Sequence, residues 1–511
     1  MKIMMFPMMG SLYRCTLKTV VPRYVQCKQN VNKRASALGS VRFMTTDNSD
    51  KSETHSEKRI PRAGNYRSPW LVLKEEFQGI KTMTPPGTYV PRETDFLIIG
   101  GGIVGSSVAY WLKQYNTKAI SVTVIERDPS YTKASSMLSW EGVRHQFSIP
   151  ENVQLSMCAS EFLSDIREHL SVKHEGPPDV QFNHQGYLIL AHEKDAEQLA
   201  ENVDMQKNLG ARVVLLSKQQ LTEKYPWMNF DGIECGSLGL EGEGWLDPWS
   251  LLRAFKQKNL SMGVKYIQGD VTNFEFENIN STNDIKFRVI SAVIKSKDDQ
   301  ECETKFSGVI NCAGPWAADI AEMAGIGKGD GDLAIPLPIE PRKRSVYVTH
   351  CPSGPSLDCP FVIDPSGLFF RREGFGGHYV CGHVPTSETD EPPIANFDTD
   401  FNLYEERVLP ALTSRVPCFN TSNLKAAWAG YNDYNIFDQN LVVGPHPYLT
   451  NFFFANGLGG HGLQHAIGVG RALMEYILEA DYVTIDMEKF HFSRFLTKTR
   501  LNEQMTLHQS R

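Results

Sequence analysis

Gly100, Gly102 and Gly105, followed by an acid at Glu126, are the residues of this chain best suited to hold a phosphate-bearing ligand. Each glycine has its own use. Gly100 allows a tight turn out of a strand, Gly102 lets the backbone approach a pyrophosphate, and Gly105 lets a helix pack on the sheet. The helix that starts there offers N–H groups and a positive dipole end to the phosphates. Glu126, about 20 residues past the last glycine, is placed to accept from a ribose hydroxyl. A second glycine-dense turn, holding Gly457, Gly459, His461 and Gly462, stands between an apolar run at 452–456 and a long apolar stretch reaching 478. Two such turns exceed the needs of a nicotinamide site. The second fits a flavin ring, which gathers negative charge on reduction where N–H groups can meet it.

These residues need a frame, and the flanking patterns provide one. Apolar runs Phe96–Ile99 and Val122–Ile125 read as strands around a helix marked by Val104, Val108, Trp111 and Leu112. Val309–Ile310, then Ala313-Gly314-Pro315, read as a further strand–turn–helix unit over 305–325. Residues 182–192 and 335–383 differ: short strands between Pro, Gly and Asp, the texture of an antiparallel sheet. Residues 247–271 read as a helix capped near Asp247, stopped at Gly263 and followed by a strand to Val271.

The expected fold is therefore α/β: a discontinuous Rossmann-type nucleotide domain (94–155, 231–330 and 425–482) with an inserted antiparallel β-sheet substrate domain (156–230 and 331–424) and an extension over 483–511. Residues 1–46 contain no Asp or Glu but do contain Lys2, Arg14, Lys18, Arg23, Lys28, Lys33, Arg34 and Arg42. That composition reads as a mitochondrial transit peptide, followed by a linker over 47–93. The destination would be the matrix. Hydrophobic content of 41% and charged content of 22% are those of a globular protein, and a net charge of −7 argues against nucleic acid. No apolar run is long enough to span a membrane, which leaves only peripheral contact with the inner membrane open. The ten cysteines show neither C-x-x-C nor zinc spacing, so no metal site is expected and reduced buried thiols are.

The Gly100 loop, Asn311–Ala317 and the Gly457–Gln464 turn resemble the D-amino-acid oxidase-type flavoproteins, among them glycine oxidase, sarcosine oxidase and the mitochondrial dimethylglycine and sarcosine dehydrogenases. The resemblance runs from about Thr94 to Tyr482. A closer one, through Phe370–Gly376, Ala427–Asn435 and Asp438–Pro447, is to the mitochondrial FAD-dependent oxidoreductase domain-containing proteins. It implies a role in assembly of respiratory complex I, with assembly intermediates or subunits as partners. The alternative is a matrix dehydrogenase of a small N-methylated or D-type amino acid.

The resemblance also implies site residues. Gly100, Gly102, Ile103, Val104 and Gly105 would hold the FAD pyrophosphate, with Glu126 and Arg127 at the adenosine ribose. Ser135 and Ser136 would lie along the ribityl and phosphate path, Val271 at the adenine, and Gly457, Gly459, His461 and Gly462 at the flavin ring. Arg144 and Arg371 would bind a substrate carboxylate, as arginine's planar fork suits. Two departures count against an amino-acid oxidase. Gln464 replaces a substrate-binding lysine, which removes a charge-assisted hydrogen bond of about 1.5–3 kcal/mol. The strand 378–384 lacks the oxygen-activating lysine. Ala429–Gly430 and Trp140–Glu141 stand where relatives attach flavin covalently, which implies non-covalent FAD.

Overall fold

The computed structural model describes residues 89–504 apart from 117, 141, 281–284 and 330. The expected leader at 1–46, most of the linker and Glu141 lie outside the described residues.

The nucleotide layer is built on strand β1 (Glu93–Ile99), which pairs in parallel with β2 (Val122–Glu126) on one side and β10 (Glu301–Asn311) on the other. β8 (Lys265–Asn280) continues the parallel sheet beyond β2, and β17 (Phe452–Asn456) continues it beyond β10, edged by antiparallel β16 (Val442–Pro445). β9 (Ile285–Ser296) pairs antiparallel with the outer part of β8 and the start of β10, so the three form a meander beside the parallel strands. Central strands are covered on both faces and therefore read as unbroken apolar runs. Leu97 and Ile99 pack with Ile125, Val309 and Phe452, whereas Ile98 packs with Val108, Val124 and Ile310.

Helix Ile103–Tyr115 follows β1, and helix Gly462–Glu479 follows β17. The two helices that leave the two glycine turns lie against each other. Trp111 Nε1 donates to Ile467 O at 3.0 Å, and a Cβ on Gly470 would stand 2.5 Å from Ser107 Oγ. Helix Pro248–Ser261 begins as its sequence suggests, with the Asp247 carboxylate accepting from Trp249 N and Ser250 N.

The second sheet has the order β15 (Asn423–Asn435), β11 (Ile339–His350), β14 (His378–His383), β13 (Leu368–Glu373), β12 (Phe361–Ile363), β4 (Tyr187–Ala191), β6 (Cys235–Gly239), β5 (Val213–Ser217). It is antiparallel throughout except where β12 meets β4. A two-residue pair, β3 (Gly142–Val143) with β7 (Gly244–Trp245), links the layers. β6 falls inside 231–330, and β15 all but its first two residues inside 425–482, the segments expected in the nucleotide domain, yet both pair in the larger sheet. Strand character was legible there, but the choice of sheet was not, because it is made by partners distant in the chain.

Among the described residues the cysteines are free, no helix is long and apolar enough to cross a membrane, and no cluster of His, Cys, Asp or Glu could hold a metal.

Candidate dinucleotide site

The two glycine turns open on one cavity of about 500 Å³. At the first turn the three glycines separate by environment. Gly100 has φ +102°, and a Cβ there would stand 2.3 Å from Cys312 O. A Cβ on Gly105 would stand 2.0 Å from Gly100 O, so the helix can rest on the strand end only without a side chain. A Cβ on Gly102 would meet no protein atom within 4 Å. Gly102 faces the cavity with ordinary φ, and what its missing side chain leaves free is room for an occupant.

Gly100, Gly102, Ile103 and Val104 line the cavity, together with Glu126, Arg127, Ser135, Ser136, Val271 and Gly462. Glu126 is pinned: Oε2 accepts from Gly101 N at 2.7 Å and Oε1 from Asp128 N at 2.8 Å. Burial nevertheless raises its pKa. Each oxygen keeps a further lone pair, so a ribose hydroxyl can still donate to it. Arg127 lies 4.8 Å over the Trp316 ring and 3.6 Å from Asp270, forming a flat half-exposed wall. The Ser135 hydroxyl donates to Tyr431 O, which ties this loop to the larger sheet.

The second turn departs from expectation. Gly457, Gly459 and His461 do not line the cavity; Gly460, Gly462 and Leu463 do. Leu458 N donates to the Asp433 carboxylate at 3.0 Å, Gly459 N to Asp433 O at 3.1 Å, and His461 N to Leu458 O at 2.8 Å. Those N–H groups are spent inside the protein. The free donors at this end belong instead to the start of helix Gly462–Glu479, which has no side-chain cap. Burial pushes the Asp433 carboxyl up to about 6 even with the Leu458 N–H supporting its charge. Asp433, Asn432 and Trp316 line the cavity and were not singled out from the sequence; Ala427–Asn435 and Asn311–Ala317 were visible only as stretches of family resemblance.

The two arginines expected at a substrate carboxylate are elsewhere. Arg144 is 2% exposed and lines neither the dinucleotide cavity nor the small chamber beside it; Nη1 donates to Gln146 O at 2.7 Å, Nη2 is buried without a hydrogen-bond partner among the described residues, and the guanidinium lies 4.4 Å over Phe147. Burial lowers its pKa, against the pull of the Tyr187, Glu503 and Glu243 side chains. Its backbone N–H donates to Gln464 Oε1 at 2.7 Å, while Gln464 Nε2 bonds His461 Nδ1 at 2.9 Å. Gln464 is thus a structural bridge that a lysine could not replace, having no acceptor. Arg371 is buried on β13, ion-paired to Glu373 and 5.2 Å from the Trp245 ring. Strand alternation did separate it from Arg372, but its buried face is directed at Trp140 O and Trp245 rather than at a cavity.

The lining fits a dinucleotide. Two helix N-termini open on one chamber, a glycine leaves room for a pyrophosphate, and an acid stands at the expected ribose position.

Comparison with known proteins agrees with that geometry. Residues 95–476 match the model of the DAO family, FAD dependent oxidoreductase. The chain is 47% identical to FAD-dependent oxidoreductase domain-containing protein 1 of Xenopus laevis over 82% of this chain and 86% of that protein. It is 24% identical to mitochondrial sarcosine dehydrogenase of Mus musculus over 83% of this chain but 44% of that one. Its fold matches L-proline dehydrogenase from P. horikoshii with a TM-score of 0.67 at 24% identity, covering 81% of this chain and all of that one.

Proposed function

The chain belongs to the FAD dependent oxidoreductase family, and on that premise we propose that it holds FAD non-covalently in the mitochondrion and serves assembly of respiratory complex I. Bound FAD supplies two-electron oxidation chemistry. The Gly100–Val104 loop would hold the pyrophosphate, Glu126 the ribose, and the start of helix Gly462–Glu479 the ring. What the chain itself contributes is position: paired backbone fixes both turns before the cofactor arrives.

The observation that favours assembly over amino-acid oxidation is the fate of Arg144, Arg371 and Gln464. Arg371 and Gln464 are bonded within the fold, Arg144 is bonded through Nη1 with Nη2 buried and unpaired among the described residues, and none of the three lines the dinucleotide cavity. Sarcosine dehydrogenase, at 24% identity, is a more distant relative of this chain than FAD-dependent oxidoreductase domain-containing protein 1, at 47%. The test is complexome profiling of mitochondria depleted of this protein. Stalled complex I subassemblies and low NADH-driven respiration, with near-normal succinate-driven respiration, are expected, and wild type should rescue. Normal complex I after depletion would overturn the proposal.

A second reading, a matrix dehydrogenase of a small amino acid, is favoured by a different arginine. Arg344 lines a small chamber beside the main cavity. Anaerobic bleaching of the flavin by an N-methylated or D-type amino acid would establish it.

A further inference from the structure

The small chamber shares Ser139, Asn432 and Gly460 with the dinucleotide cavity and adds Trp140, Arg344 and Gly430 from the far side. It therefore lies between the second glycine turn and strands β11 and β15. Arg344 is 5% exposed, on β11 directly across from Gly430. A Cβ on Gly430 would stand 2.6 Å from Leu138 Cβ, so glycine there lets Leu138, another wall of the chamber, pack against the strand.

The guanidinium makes the contact that arginine uses to recognise a carboxylate. Nη1 and Nη2 donate to the two oxygens of Glu391 at 2.7 and 2.9 Å, a bidentate fork. Nε is also buried and has no hydrogen-bond partner among the described residues. Fold stability is a poor explanation for this pair, because an apolar pair of similar volume is often as stable as a buried ion pair.

Glu391 does not come from the sheet. It belongs to residues 385–400, whose regular structure is one 3-10 turn at 388–390. The segment lies across β11 and β15 on side-chain ties, among them Tyr431 OH to Ile394 O, Tyr347 OH to Asp400 O, Asp400 N to Ser345 Oγ and an Arg407–Asp390 ion pair, without pairing in either sheet. Lys343 Nζ donates to Asn396 Oδ1 at 3.2 Å, Tyr431 OH donates to Asn396 O at 3.2 Å, and the Phe397 ring stands 4.2 Å from that of Tyr431. A strap held by side chains, with no strand or helix ladder of its own beyond one 3-10 turn, opens more readily than the sheet it crosses.

We propose that Arg344 is the receptor for a small carboxylate-bearing ligand, and that the Glu391 carboxylate is its internal stand-in, displaced when the ligand enters. This rests on the second reading above, that of a small-substrate oxidoreductase, and gives it the carboxylate anchor that Arg144 and Arg371 do not provide. The chamber itself measures about 10 Å³, room for one water, so the ligand carboxylate takes the place that Glu391 vacates; one carboxylate replaces another on the same fork and the guanidinium is never left uncompensated. The strap is released as the site fills.

The test uses the purified FAD-loaded full chain with acetate and propionate as probes and acetamide as the uncharged control. Binding is read from the visible flavin spectrum and from hydrogen exchange. Acetate should perturb the flavin and acetamide should not. Glu391→Gln removes the competing charge and should tighten acetate at least about tenfold, whereas Arg344→Gln should abolish its binding. In the wild type, acetate should speed amide exchange within 385–400. That arm does not depend on a variant folding. Acetate affinity unchanged in either variant, no acetate binding at all, or binding that leaves 385–400 protected would each overturn the inference. Failure of the second reading looks different: no amine or amino acid bleaches the flavin while acetate still displaces the strap.

Discussion

Replacing Gly102 with valine should separate cofactor binding from folding. The glycine has φ −65°, a region open to any residue, and a Cβ would meet no protein atom within 4 Å. The polypeptide should therefore accept the valine side chain at a cost of about 1 kcal/mol or less for a weaker helix cap. The cofactor should not accept it, because the added side chain occupies the place of the pyrophosphate. A ligand at 100 times its Kd stabilises the native state by about 2.7 kcal/mol, so losing it should lower the melting temperature of the FAD-supplied protein by about 3 °C. Without FAD, wild type and variant should melt nearly together. Gly105→Ala is the contrast. Its Cβ would sit 2.0 Å from Gly100 O, so it should lower melting with and without FAD. The assay is thermal unfolding of each protein with and without FAD, beside flavin content after acid precipitation, which should release all flavin from wild type. A Gly102→Val protein that keeps full flavin would refute the assignment of the loop. A harmless Gly105→Ala would refute the packing argument.

Two other outcomes follow from buried groups. Burial pushes the Glu243 carboxyl up to about 7, although His145 N and Gln146 Nε2 donate to it at 2.9 and 2.8 Å. Its folded pKa lies above its unfolded value of about 4.3, so its stabilising contribution is complete below that value and disappears as pH rises through about 7. Relative to Glu243→Gln, the wild type should lose melting temperature between pH 5 and 8; parallel profiles would contradict this. Gln464→Lys should not create an amino-acid oxidase. It would place an unpaired charge beside buried Arg144 and remove the acceptor for that residue's N–H, at a cost of about 3–5 kcal/mol in denaturant unfolding. A fully stable Gln464→Lys protein that oxidises sarcosine would show that the bridge is dispensable.

The sequence alone determined the chemistry that depends on local backbone. Gly100, Gly102 and Gly105 carry their three roles in a single turn, and Glu126 lies one strand away, so spacing along the chain was sufficient to place them. The Asp247 cap and the Gly263 stop, with φ +84°, were legible for the same reason. Tertiary structure decided everything that depends on which distant segment arrives. β6 and β15 carry strand patterns that fit either sheet, and pairing with β4 and β11 settled the matter. Arg144 and Arg371 were sound candidates by residue type, yet Phe147 and Gln146 claim one and Glu373 and Trp245 the other. Arg344 carried no local signal, and only the crossing of β11, β15 and the 385–400 strap sets it beside the dinucleotide cavity opposite Glu391. A backbone turn is specified by residues a few positions apart. The direction and partner of a buried charge are specified by whatever packs against it, and in this chain that comes from 47 residues away for Arg344 and 231 for Arg371.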